Sequence, residues 1–158
     1  RAGLKKLVLL NAHGGNVSPL DIVGRELRAR HGLTVLMVHT FDLQLPAAVQ
    51  GLFSAQEQRF GVHGGEIETS MMLALHPERV DMALAQNFVS SSQHRAATYP
   101  VLGDGRSARL AWAMQDLHPL GAAGHAAAAT ADKGRAVLQA SGQVLAQLLL
   151  DACALPPL

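Results

Sequence analysis

The chain has 158 residues, long enough for one ordinary domain with a real core. Hydrophobic residues make up 49% and charged residues 16%, which excludes a disordered chain and points to a globular one. A formal net charge of +1 removes the electrostatic case for nucleic acid or an anionic membrane, and 4% aromatics argue against a base-stacking platform. Cys153 is the single cysteine. It allows no intrachain disulfide and fits a reduced, cytoplasmic protein. No apolar run approaches the ~20 residues that span a bilayer, and no signal peptide opens the chain. The chain starts on Arg1 and enters a strand almost at once, as a domain cut into would.

In chain order, Lys6 to Asn11 reads as a short, fully buried strand. A helix follows, with Ser18 as its N-cap, Pro19 in its first turn and Gly32 as its stop. Leu20, Val23 and Leu27 share its apolar face. Leu33 to Thr40 is a second buried strand, so the opening is strand–helix–strand and favours a parallel pair. Residues 41–64, broken by Pro46 and Gly51, read as a short helix plus a loop. Gly65 to Leu75 is a helix stopped by His76-Pro77. Residues 85–107 read as a polar loop at an active site or subunit contact. Ser107 to Leu117 holds a short helix or strand, and a Gly/Ala-rich connection follows. Thr130 to about Ala152 is a long final helix with Val137, Leu138, Val144, Leu145, Leu148 and Leu149 as its apolar set. No linker splits the chain, so 1–158 reads as a single domain.

Two triplets carry the chemistry: "NAHGGN" at 11–16 and "HGGEIETS" at 63–70, with their histidines fifty residues apart. In an open α/β sheet, ligands sit beyond the carboxyl ends of strands, where Asn11, His13 and Asn16 fall. His13 can offer a neutral imidazole to a metal or act as a base. Gly14 and Gly15 let the backbone approach a ligand, and the N–H groups behind them could hold an oxyanion or phosphate. The plainer reading is a tight strand-to-helix turn with a solvent-exposed histidine.

On a helical wheel, Ile67, Met71, Ala74 and Leu75 form an apolar arc that includes or borders Glu68, while Glu66 lies on another face with Ser70 and Leu73. A carboxylate on a core face needs a partner or a metal. The plainer readings are first-turn carboxylates favoured by the helix dipole and a satisfied core glutamate. As a set, His13, His63 and Glu66 are N/O donors suited to Zn²⁺, Mn²⁺ or Fe²⁺, though not at metalloprotease-helix spacing. His39, ending the second strand, is a weaker candidate at the same sheet edge, and His31 reads as a helix C-terminal dipole partner.

"LNAHGGN" followed by "HGGEIETSMMLALHPERVDM", with the tail "GAAGHAAAATADKGRAVL", resembles the creatininase (creatinine amidohydrolase) family, as the C-terminal part of a member. The resemblance implies a three-layer α/β fold with a mostly parallel sheet, its N-terminal part missing here. It implies assembly as homo-oligomers, often hexamers, and hydrolysis of a small-molecule amide C–N bond by metal-activated water. It gives His13 as a metal ligand, Glu66 as ligand or base, and His63 as the acid–base histidine. Asn11, Gly14, Gly15, Asn16 and Glu68 stand beside the metal or substrate. A divalent metal (Zn, Mn or Fe) is the implied cofactor.

The chain also departs from the family. Creatininase proper carries a metal-binding glutamate at Gly15's position, so Glu66 is expected to replace it. Creatininase proper has a Trp-Asp pair where Arg59-Phe60 stands here, which argues against creatinine as substrate. His125 replaces a usual acidic residue. The family's early E-x-H segment and bridging aspartate lie upstream of these residues. Two alternatives stay open: a non-catalytic, oligomerising paralogue, and a phosphate- or nucleotide-binding module built on Gly14-Gly15. The absence of GxGxxG or GK[ST] patterns weighs against the second.

Overall fold

A computed structural model describes residues 3–156. The elements run β1 (Lys6–Asn11), α1 (Val17–His31), β2 (Thr34–His39), α2 (Ala47–Gln50), α3 (Ala55–Phe60), α4 (Glu66–Leu75), β3 (Asn87–Phe88), α5 (Ser91–Thr98), α6 (Met114–Leu117), β4 (Gly124–His125) and α7 (Ala131–Ala154). The class is α/β, as the sequence suggests. Two compact units form: residues up to 45 together with those from 140 on, and residues 46–139.

In the first unit β1 and β2 pair in parallel, from Lys6↔Thr34 to Asn11↔His39. This is the strand–helix–strand order expected, and β1 has the expected bounds. The strand is less buried than expected: Leu10 is 55% exposed, and β2 is its one strand neighbour among the described residues. Helix α1 lies on β2 through Gly24, where an added Cβ would stand 3.0 Å from Met37 Sδ. This close approach turns Leu20, Gly24 and Leu27 inward and leaves Val23 exposed, correcting the expected face. The helix also starts one residue before Ser18, with Asn16 as N-cap. Gly32 ends it as expected, at φ 64°, with its N–H donated to the Arg28 carbonyl. Lys6 Nζ donates to the carbonyls of Ala152 (2.8 Å) and Cys153 (2.6 Å). A lysine there satisfies orphan carbonyls in the last turn of α7 and complements the helix dipole.

In the second unit α4 and α7 touch backbone to backbone. A Cβ on Gly134 would collide with the Ser70 carbonyl, and the fully buried Ser70 hydroxyl accepts from Thr130 N–H at 3.1 Å. The expected loop at 85–107 instead contains β3 and α5. Ser90 caps α5, its buried hydroxyl accepting from Ser92 N–H, so a polar, serine-rich stretch still makes a helix. The Gly/Ala-rich connection holds β4, which pairs antiparallel with β3, and Ala123 bridges His63. The final helix is two residues longer than expected at its end. Its 24 residues are long and apolar enough to cross a membrane by composition, against the expectation that no such run exists. Val137, Ala140 and Ala152 on it are buried within the protein, while most of the helix is half-buried or exposed.

Candidate functional site

Asn11 closes β1 and is 3% exposed. Its Oδ1 accepts from His13 N–H (3.0 Å) and from Asn16 Nδ2 (3.3 Å). Its Nδ2 donates to the His13 carbonyl (3.0 Å) and meets His39 Nδ1 at 3.0 Å. Because a backbone N–H must meet the amide oxygen, the amide orientation is fixed and Nδ2 is the donor to His39. His39 Nδ1 is therefore an acceptor, and its neutral ring carries the proton on Nε2. Each amide hydrogen and each oxygen lone pair of Asn11 has a partner, so Asn11 shapes the turn and has no group left for a ligand. His39 is also stacked on Phe41, with ring centroids 5.5 Å apart.

The same network holds the backbone of His13 on both sides while leaving its ring exposed. Among the described residues neither ring nitrogen of His13 takes a hydrogen bond. The ring folds over Gly15, where a Cβ would stand 2.8 Å from His13 Nε2. The exposed ring can shift aside, so this contact alone does not demand glycine at 15, and neither Gly14 nor Gly15 has a positive φ. The tight strand-to-helix turn is present, as a 3-10 turn over Gly14–Asn16, without left-handed backbone.

The second triplet is built differently. Gly64 sits at φ 61°, and its N–H donates to Glu68 Oε2 at 2.7 Å. Glu68 was expected to point inward and does not: its side chain is 51% exposed and faces His63 Nδ1 at 3.8 Å. Glu66 is the buried carboxylate, with its side chain 6% exposed and ion-paired to Lys133. The Ser70–Gly134 contact explains the exchange. It places the line through Glu66 and Ser70 against α7, which brings Lys133 to the carboxylate.

Neither Lys133 nor Glu57 is among the residues the sequence singled out. Glu57 is 3% exposed. Its Oε1 accepts from Glu66 N–H at 2.7 Å and its Oε2 from His125 N–H at 2.8 Å. At the start of α4, then, carboxylates take the N–H groups of both Gly64 and Glu66. That arrangement repels an anion, so this triplet is no phosphate cradle. A polar cavity of about 50 Å³ lies beside Glu57, edged by Asn87, Gln93 and His125.

The structure thus gathers Asn11, His13, Asn16 and His39 in one unit, and Glu57, His63, Glu66, Glu68 and Lys133 in the other. Among the described residues no three His, Cys, Asp or Glu side chains form a metal-holding group. As donors, His13 suits a divalent metal, while Glu66 already has a cationic partner.

The sequence profile of the creatininase family, described as creatinine amidohydrolase, matches residues 1–149. The chain belongs to the creatininase family. A creatinine amidohydrolase from Pseudomonas putida is 34% identical over 108 residues, which are 63% of this chain and 39% of that protein. A solved structure described as creatininase Mn superposes with a TM-score of 0.68 at 26% identity, over 94% of this chain and 57% of the other. A putative creatinine amidohydrolase from Bacteroides fragilis gives 0.67 at 26% identity, over 90% and 53%. A mutant creatininase of Zn-Zn type gives 0.68 at 26% identity, over 94% and 57%. The chain therefore spans about half the length, or less, of these creatininase relatives.

Proposed function

We propose that this chain carries part of the active centre of a metal-dependent amidohydrolase that cleaves a small cyclic or linear amide. Family membership supports the reaction class. The observation that carries the reading is His13: its backbone is locked by Asn11 at a strand's carboxyl end, and its imidazole is exposed and unpartnered. A divalent ion held there would polarise the amide carbonyl and lower the pKa of a bound water toward about 7.

His13 is the donor offered to that ion. Glu66, in the second unit, is a donor in this reading only if it exchanges its partner Lys133. Either donor alone is fewer than the three protein ligands usual at a catalytic zinc, so other ligands would complete the shell. His63 is exposed, and the carboxylate of Glu68 on its Nδ1 side leaves Nε2 to hand a proton to the leaving nitrogen. Zinc and manganese forms among the relatives make those ions the first to try. Assembly as a homo-oligomer and residence in the reducing cytoplasm belong to the same proposal.

The test is amine or ammonia release from a panel of small cyclic and linear amides, with Zn²⁺ or Mn²⁺ supplied to the protein. Turnover that falls at least a hundredfold in His63→Ala supports the reading. Turnover equal in wild type and His63→Ala removes His63 from it. The Glu66–Lys133 ion pair favours one other reading, a non-catalytic paralogue in which Glu66 is purely structural. Release from no amide, with no metal retained, would favour that paralogue.

A further inference from the structure

Glu57 lies outside both motifs, yet the second motif is assembled on it. Its two carboxylate oxygens each accept a backbone N–H, from Glu66 and from His125. Three glycines from three segments close around it: Gly61 after α3, Gly65 before α4, and Gly124 in β4. A Cβ on Gly124 would stand 2.9 Å from Glu57 Oε1 and 2.6 Å from Gly65 Cα, and Cβ atoms on Gly61 or Gly65 would come closer still to Oε1. A buried carboxylate is costly without donors, and these two N–H groups supply them. Glu66 is consequently held twice, its backbone by Glu57 and its carboxylate by Lys133.

We propose that Glu57 is a positioning residue: its buried carboxylate sets where the His63–Glu66 turn stands, and the glycines at 61, 65 and 124 leave room for it. The inference rests on the reading that this turn belongs to an active centre. Glutamine at 57 would keep the shape but replace one acceptor oxygen with an NH₂ group. One of the two backbone donors would then lose its partner.

The experiment compares wild type, Glu57→Gln and Glu66→Gln by amide hydrogen exchange and by Mn²⁺ titration. In Glu57→Gln, the Glu66 or the His125 amide should lose about tenfold or more in protection while amides of α5 are unchanged. Mn²⁺ affinity should fall about tenfold, as for other residues that orient a metal ligand. Unchanged protection at both amides would overturn the proposal. So would loosened amides with unchanged Mn²⁺ affinity, since Glu57 would then be structural only. If wild type takes up no Mn²⁺, the proposed active centre fails, and the two amides alone decide whether Glu57 holds the turn.

Discussion

The same three residues, His-Gly-Gly, solve different problems in the two units. At 13–15 the turn is held by an amide side chain, the histidine is exposed, and its ring lies over Gly15. At 63–65 the turn is held by carboxylates, Gly64 has a left-handed backbone, and Gly65 is small because Glu57 and Gly124 press on it. The first triplet presents a side chain outward; the second anchors a helix start inward. A repeated motif is therefore no evidence of a repeated function.

The sharpest break in that comparison lies at the buried end. Lys133→Met leaves the Glu66 carboxylate buried and unpaired, and should cost about 3–5 kcal/mol by urea unfolding. Glu66→Gln in the same chain should return most of it. His13→Ala, at the exposed end, should stay within about 0.5 kcal/mol of wild type. Equal losses in the two single variants would erase the distinction.

Asn11→Ala comes next. It removes a buried hub of four hydrogen bonds and should cost about 2–3 kcal/mol. It should also shift the His39 ring resonances, because His39 Nδ1 loses its donor. Among the glycines, Gly65→Ala should cost about 1–3 kcal/mol through overpacking against Glu57, whereas Gly14→Ala, with open space around it, should be within about 0.5 kcal/mol. The reverse order would mean that the turn at 13–15 is the tightly packed one.

The smallest effect is local. The Ser107 hydroxyl and the N–H groups of Arg106 and Ser107 bond the Asp104 carboxylate and hold its pKa down to about 2, from an ordinary 3.8. A depressed carboxyl stabilises its folded turn above the ordinary value, and that contribution is lost as pH falls through about 2. Carboxyl carbon shifts followed by NMR should show Asp104 titrating near 2, and Ser107→Ala should move that midpoint upward.

What could be read beforehand had local punctuation. β1 ends on Asn11, α1 stops at Gly32, α4 lies between Gly65 and His76, and α7 runs as a long periodic helix. The order of Glu66 and Glu68 was not legible. A wheel ranks side chains by hydrophobicity, and the inward line of α4 is set instead by a backbone contact between Ser70 and Gly134. Glu57 sat in a Ser-x-x-Glu pattern that reads as a capping box. Ser54 does cap α3, but the Glu57 carboxylate serves Glu66 and His125, two partners distant in sequence. Lys133 looks like any charge in a first helical turn until α4 is placed beside it.

The central claim is that His13 is a metal donor, and calorimetric titration of the purified protein with Zn²⁺ or Mn²⁺ tests it most directly. The account expects saturable binding that is lost in His13→Ala, with thermal stability unchanged, and retained in His39→Ala, since the acceptor nitrogen of His39 is already occupied by Asn11. Binding that survives His13→Ala, or no binding at all, would contradict it.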